Sequence, residues 1–148
     1  REIKKAFNVP EPPQSANDAD ITASGKAGIL VMQLAQDTKY LSANVINVAK
    51  SFNDAQVKLL VPVKDHLTWL DLSRSGITDQ AATDLGQLSK LTKLHLENTV
   101  ISDKTLMEIG KLENLEYLNL YGTKVTDEGL QNLENLKKLK KLYVWQKT

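Results

Sequence analysis

Asp71, Ser73, His95 and Glu97 are the residues of this chain whose types could do chemistry together. A hydroxyl, an imidazole and a carboxylate make a nucleophile, its base and the group that orients the base, provided the side chains come within hydrogen-bond reach. No G-x-S-x-G elbow frames a serine here, and an open sheet face excludes water poorly, so the pattern argues against an enzyme. His95 and Glu97 could also ligate a metal. Residues two apart on one strand supply at most two ligands, however, so no metal site is expected. Ser24-Gly25-Lys26 lacks the glycine a phosphate loop needs five residues earlier, where Asp20 stands, and has Ala27 where that loop needs Ser or Thr. Asp18-x-Asp20-x-Thr22 fails as a calcium loop, with Ala23 in the glycine place and Ile29 in that of the last carboxylate. With no cysteine in the chain, disulfides, thiolate chemistry and C-x-x-C-H haem attachment are excluded. No cofactor is expected.

Whether those four residues meet depends on the elements that carry them, and these repeat. Leu91 to Leu115 reads LTKLHLENTVISDKTLMEIGKLENL. Leu91, Leu94 and Leu96 lead, Thr99 and Ile101-Ser102-Asp103 follow, and Leu106, Ile109 and Leu112 close the unit. Leu115, Leu118, Leu120, Thr123 and Val125-Thr126-Asp127 repeat it, as do Leu67, Leu70, Leu72, Ser75 and Ile77-Thr78-Asp79. The period is constant, since 91 − 67 = 24 and 115 − 91 = 24. A fixed period in the twenties marks a solenoid. Each L-x-L segment alternates apolar and polar like a half-buried strand. Each Thr/Ser-Asp pair reads as a helix start, where a carboxylate accepts amide hydrogen bonds and complements the helix dipole. Asp79, Asp103 and Asp127 are accordingly structural.

The regular units are 67–90, 91–114, 115–138 and a partial 139–148. Residues 1–16, with Pro10, Pro12 and Pro13, read as a linker or lead-in. Residues 17–66 read as irregular N-terminal capping repeats: a helix behind Asn17, stopped at Gly28, then a strand over 29–34 and another over 40–48 with Ile46 and Val48 in an L-x-L place. A helix opening at Asn53-Asp54 carries Val57, Leu60 and Val63 inward at a spacing of three. His66 reads as a solvated loop residue. The absence of an initial methionine and the stop inside a repeat read as a fragment of a larger or processed protein.

At 148 residues, 41% hydrophobic and 25% charged, with a formal net charge of +1, the composition is that of one ordinary domain without general attraction to nucleic acid or anionic membrane. No apolar run nears the ~20 residues that span a bilayer, so no direct membrane insertion is expected. Lys137, Lys138, Lys140 and Lys141 are interrupted by leucines at repeat spacing and read as a solvated surface.

The pattern L-x-x-L-x-L-x-x-[TS]-x-[IV]-[TS]-D resembles the leucine-rich repeat family, and is similar to its bacterial ribonuclease-inhibitor-like and cysteine-containing subclasses. The resemblance covers 67–148 and more weakly 40–66. It implies an α/β right-handed solenoid with parallel strands on the concave face and helices on the convex face. The run Leu118 to Asp127, with Leu142 to Gln146, is also similar to repeats appended to planctomycete-type c-type cytochrome proteins. That likeness implies a periplasmic or cell-envelope setting. Ala82 in a leucine place and Thr148 one place late depart from the pattern.

With the leucines pointing inward, period-two alternation exposes three columns on the sheet. They are Trp69, Lys93, Tyr117, Lys141; Asp71, His95, Asn119, Tyr143; and Ser73, Glu97, Tyr121, Trp145. Five of the eight aromatics, both tryptophans among them, fall in these columns. Clustered exposed aromatics point to a contact site. The expected function is therefore a non-catalytic interaction module holding a protein or peptide ligand, with no nucleic acid. Trp69, Asp71, Lys93, His95, Glu97, Tyr117, Asn119, Tyr121, Tyr143 and Trp145 are the expected binding residues. Carbohydrate or cell-wall binding by ring stacking, and a structural spacer within a larger membrane-associated electron-transfer protein, are the alternatives. The competing explanation of the aromatics is cross-strand stacking that stabilises the sheet itself.

Overall fold

In the computed structural model, which describes residues 11–12 and 14–145, six strands form one sheet in the order of the chain. They are β1 (Leu30–Gln33), β2 (Leu41–Asn44), β3 (Leu67–Asp71), β4 (Lys93–His95), β5 (Tyr117–Asn119) and β6 (Lys141–Tyr143). From β2 to β6 every pair is parallel. The regular strands pair at the repeat offset, Leu70 against Leu94, Leu94 against Leu118 and Leu118 against Leu142. The leucines of β3, β4 and β5, with Leu72, Leu96 and Leu120, are fully buried in one continuous core. In each of these units a buried hydroxyl is satisfied locally: Ser75, Thr99 and Thr123 donate to the carbonyls of Leu72, Leu96 and Leu120 at 2.7, 2.8 and 2.7 Å.

The return segments are tighter than the expected helices. Among the described residues after β3 only Ala82–Gly86 and Asp103–Ile109 are α-helical, and Lys58–Val63, Asp79–Ala81 and Gly129–Leu133 are 3-10 turns. The spacing of three explains this, because a 3-10 turn has about 3.0 residues and stacks i and i+3 on one side. Val57, Leu60 and Val63 are all fully buried in this way.

The repeated aspartates do something other than cap their own helices. Thr78 and Ser102 are the side-chain caps, accepting from Gln80 and Lys104. Asp54, Asp79 and Asp103 instead each reach the next unit. Asp54 accepts from Thr78 N–H and Oγ1–H, both at 2.7 Å. Asp103 accepts from Thr126 N–H and Oγ1–H at 2.8 and 2.6 Å. Asp79 accepts from Ser102 N–H and Oγ–H at 2.8 and 2.5 Å, and from Thr105 Oγ1–H at 2.7 Å. The carboxylates thus stitch unit to unit. Where Thr105 stands in one unit, Gly129 stands in the next, and a Cβ there would lie only 1.9 Å from Asp103 Oδ1. Gly129→Ala is therefore expected to push Asp103 off Thr126 and cost about 1–2 kcal/mol, the order of a charge-assisted hydrogen bond. Urea unfolding against wild type measures it.

The N-terminal region departs from the expected frame in two places. β1 runs antiparallel to β2, with Leu30 opposite Asn44 and Gln33 opposite Leu41. The seven residues 34–40 between them are too few for a parallel crossover, which takes about a dozen or more. The strand thought to carry Ile46 and Val48 inward sits earlier. Leu41, Ala43 and Val45 face the core, while Ile46 is 76% exposed. Ala43 pairs with Leu70, an offset of 27. Two of the three additional residues lie in the turn after the strand, since 54 − 43 = 11 against 79 − 70 = 9.

Ahead of β1, helix α1 (Asp18–Lys26) is capped by Asn17 and tied to the 3-10 turn Lys58–Val63 by Ser24 Oγ–H donating to Leu59 O at 3.1 Å. Of residues 1–16, Glu11 and Gln14 are anchored: Glu11 accepts from Thr38 Oγ1–H and Lys39 N–H, and Gln14 O lies 2.5 Å from His66 Nε2. His66 is consequently half-buried rather than solvated, because Gln14 sits on it. Burial, reinforced by the Glu11 carboxylate, pushes the Tyr40 phenol up to about 12.

Candidate functional site

Strand register brings the expected columns together. Trp69, Lys93, Tyr117 and Lys141 are successive partners, and so are Asp71, His95, Asn119 and Tyr143. The third column is aligned by the amides that follow it, with Arg74, Asn98 and Gly122 donating to Glu97, Tyr121 and Trp145 carbonyls. Those three donors share a left-handed backbone at φ 63°, 55° and 72°. Asparagine and glycine tolerate that region; arginine meets it at a steric cost set by the turn.

Side-chain contacts divide the aromatics. Lys93 Nζ lies 4.6 Å from the Trp69 ring and 5.4 Å from the Tyr117 ring, a cation bridging two π faces. Tyr117 is flanked by His95 at 4.9 Å and Tyr143 at 5.4 Å, both tilted. This stack is the cross-strand arrangement that the competing explanation of the aromatics expects. Tyr121 and Trp145 have no ring partner among the described residues, and at 39% and 67% exposure they are free to meet another molecule.

The polar residues of the face pair along their own strands. Ser73 N–H and Oγ–H both donate to Asp71 Oδ1, at 2.9 and 2.6 Å. His95 Nδ1 lies 2.7 Å from Glu97 Oε1. The serine proton is thus directed at a carboxylate and the imidazole at another, so the geometry holds two separate pairs rather than a relay. Among the described residues no group of three or more acidic or histidine side chains is arranged to hold a metal ion. The lysines near the C-terminus part company. Lys138 binds Asn114, Lys140 pairs with Glu116 at 3.1 Å, and Lys141 lies in the first column of the sheet face.

Two features escaped the sequence. Ser42 and Asn44 extend the first two columns onto β2, opposite Trp69 and Asp71. Because they are small beside Trp69 and Lys93, a hollow of 380 Å3 opens there. A second hollow of 630 Å3 lies between the longer turn Ile46–Ser51 and the strand ends at Asp71, Ser73, Arg74 and Glu97. Ile46 and Asp71 line both, so the two hollows share a wall. The signal was present in the two surplus residues of that turn, but a repeat frame does not say which way an insertion bulges.

A family model described as Leucine Rich repeat matches residues 111–133. Among solved structures, internalin C2 from Listeria monocytogenes matches 60% of this chain at 27% identity with a TM-score of 0.52. The fold is a leucine-rich repeat solenoid. The match covers 36% of internalin C2, so the solenoid described here spans about a third of that protein. An internalin (inlF) of the same organism is 23% identical over 61% of this chain and 32% of its own, with a TM-score of 0.46. No curated protein matches the chain significantly. Among the described residues no helix of the solenoid is long and apolar enough to cross a membrane.

Proposed function

We propose that this solenoid is a protein-interaction module whose ligand, a protein or peptide segment, lies across the aromatic columns of the sheet. The observation that carries the reading is the exposure of Tyr121 and Trp145, which have no ring partner among the described residues, beside a polar centre of Lys93, His95 and Glu97. Tyr and Trp bring contact area at low entropic cost and dominate interface hot spots. The hollows flanking Asp71 offer room for ligand side chains at the other end of the face. Internalin C2, as a solenoid of related build, is consistent with this use. The narrower likenesses, to ribonuclease-inhibitor-like repeats and to those of c-type cytochrome proteins, rest on the motif residues alone, and a cell-envelope setting rests on the second. The capping role of residues 17–66 is likewise part of the proposal.

The test is selection of displayed random peptides on the immobilised protein. Tyr121→Ser and Trp145→Ser are expected to weaken selected peptides about tenfold or more each. Thermal midpoints should move by less than ~2 °C, because exposed substitutions usually stay within about 0.5 kcal/mol. Tyr117→Ser, by contrast, is expected to lower stability by about 1 kcal/mol through the lost stack. Undiminished peptide binding by both Tyr121→Ser and Trp145→Ser would sink the reading. Binding on a glycan array that those substitutions abolish would transfer the face to carbohydrate.

A further inference from the structure

The exposed face does not stop at Trp69. Two rows of paired residues carry it across β2 onto β1: Lys93, Trp69, Ser42, Met32 and His95, Asp71, Asn44, Leu30. Residues paired across strands share a face of the sheet. Leu30 and Met32, 40% and 57% exposed, therefore stand on the same side as Trp69. Between these two apolar ridges the floor is only Ser42 and Asn44, and the 380 Å3 hollow opens there. Ile46 lines that hollow and also the 630 Å3 one next to it. The turn that carries Ile46 is built rather than loose. Ser51 and Phe52 N–H donate to Val48 O at 2.9 and 2.8 Å, Ile46 N–H donates to Asn44 Oδ1 at 3.2 Å, and Val48 packs on the core.

The charges of the larger hollow are unequally engaged. Its two carboxylates have partners: Asp71 accepts from Ser73, and Glu97 faces His95. Its two cations, Lys50 and Arg74, are exposed, and among the described residues neither side chain makes a hydrogen bond or ion pair. Arg74 also holds φ at 63°, in the place that Asn98 and Gly122 take in the following units. Asparagine would meet that backbone at lower cost, so the backbone gives no reason for an arginine. We infer that the two hollows together take an acidic and apolar peptide segment. Its large apolar side chain seats over Ser42 between Met32 and Trp69, and its Asp or Glu side chain meets Lys50 and Arg74. The inference rests on the peptide-binding reading of the face and places a second contact at the end away from Trp145. Two unpaired cations, beside carboxylates that already hold partners, set the charge of the ligand. The apolar ridges set the residue that accompanies it.

The experiment selects displayed random peptides on the full chain and measures their Kd on variants. Ser42→Leu fills the smaller hollow and is expected to weaken the peptides seated there about tenfold or more, without lowering Tm by more than ~2 °C. Peptides lost in this way should be enriched in Asp or Glu. Arg74→Asn should leave Tm unchanged or raise it, because asparagine suits the left-handed backbone, yet weaken those peptides about threefold. Arg74→Glu should reverse the preference, so that a peptide with Lys in place of its acidic residue binds the variant better than wild type. An unchanged Kd on Arg74→Asn, with no reversal on Arg74→Glu, would overturn the inference. So would selected peptides that are all indifferent to Ser42→Leu. If these still depend on Tyr121 and Trp145, the wider reading of the face stands without this site. Peptides lost on Ser42→Leu that carry Lys or Arg in place of an acid would overturn the inference in favour of a basic ligand on Asp71. Dimers in sedimentation that Ser42→Leu abolishes would overturn it in favour of a second copy.

Discussion

Leu94→Ala is expected to be among the most damaging single substitutions in the sheet, lowering stability by about 3–4 kcal/mol. Leu94 is fully buried between Leu70 and Leu118, in register with both. Stacked units hold their neighbours in place on each side, so the vacated space cannot close, and a cavity adds to the lost transfer energy. Leu142→Ala removes the same atoms from the same column. Leu142 is 41% exposed with a unit on one side only, and the expected cost is below about 1 kcal/mol. Urea melts of the two variants give the comparison. Equal losses would mean that the column is not the source of the core's stability.

Asp79→Ala should cost about 3 kcal/mol, or roughly 10 °C in Tm. The substitution strips three hydrogen bonds at once, from Ser102 N–H, Ser102 Oγ–H and Thr105 Oγ1–H. Thr105 is fully buried, so its hydroxyl is left without a partner away from water. The same contacts set a pH dependence. Burial pushes the Asp79 carboxyl up, but the donors from Ser102 and Thr105 outweigh it and hold the pKa below the ordinary 3.8. A carboxylate depressed in the folded state stabilises it above the unfolded value. Stability from Asp79 is therefore complete above about pH 4–5 and drains away as pH falls below 3.8 toward the lower folded value. In Asp79→Asn that part of the acid limb should be missing. A wild-type and Asp79→Asn difference that stays constant from pH 6 to about pH 2.5 would contradict this assignment.

The residues whose placement is legible in the sequence share one property: that placement follows from local pattern alone. Leu70, Leu94 and Leu118 had to be inward, and so Lys93, His95, Tyr117 and Asn119 had to be outward, because a strand alternates. Asn17 and Gly28 bound their helix for equally local reasons. Ile46 falls outside the core, although Val48 packs against it, because the frame there is broken by surplus residues and both Val45 and Ile46 satisfy an apolar pattern. Only packing distinguishes Val45 at 1% exposure from Ile46 at 76%. Asp79 shows a subtler limit. Its position next to a hydroxyl residue at a helix start marked it as structural, yet its partners lie 23 and 26 residues away.

The sequence by itself determined the repeat, its period of 24, the buried leucines and the identity of the three exposed columns. These depend on spacing along the chain, and spacing converts directly into side-chain direction. Tertiary structure alone decided which aromatics of the face are engaged with one another, since Tyr117 is stacked and Trp145, among the described residues, is not. It also decided that β1 turns back antiparallel and that the turn after β2 opens a hollow over Asp71. Each of these depends on what lies across a gap in space, and for that the distance along the chain carries no rule.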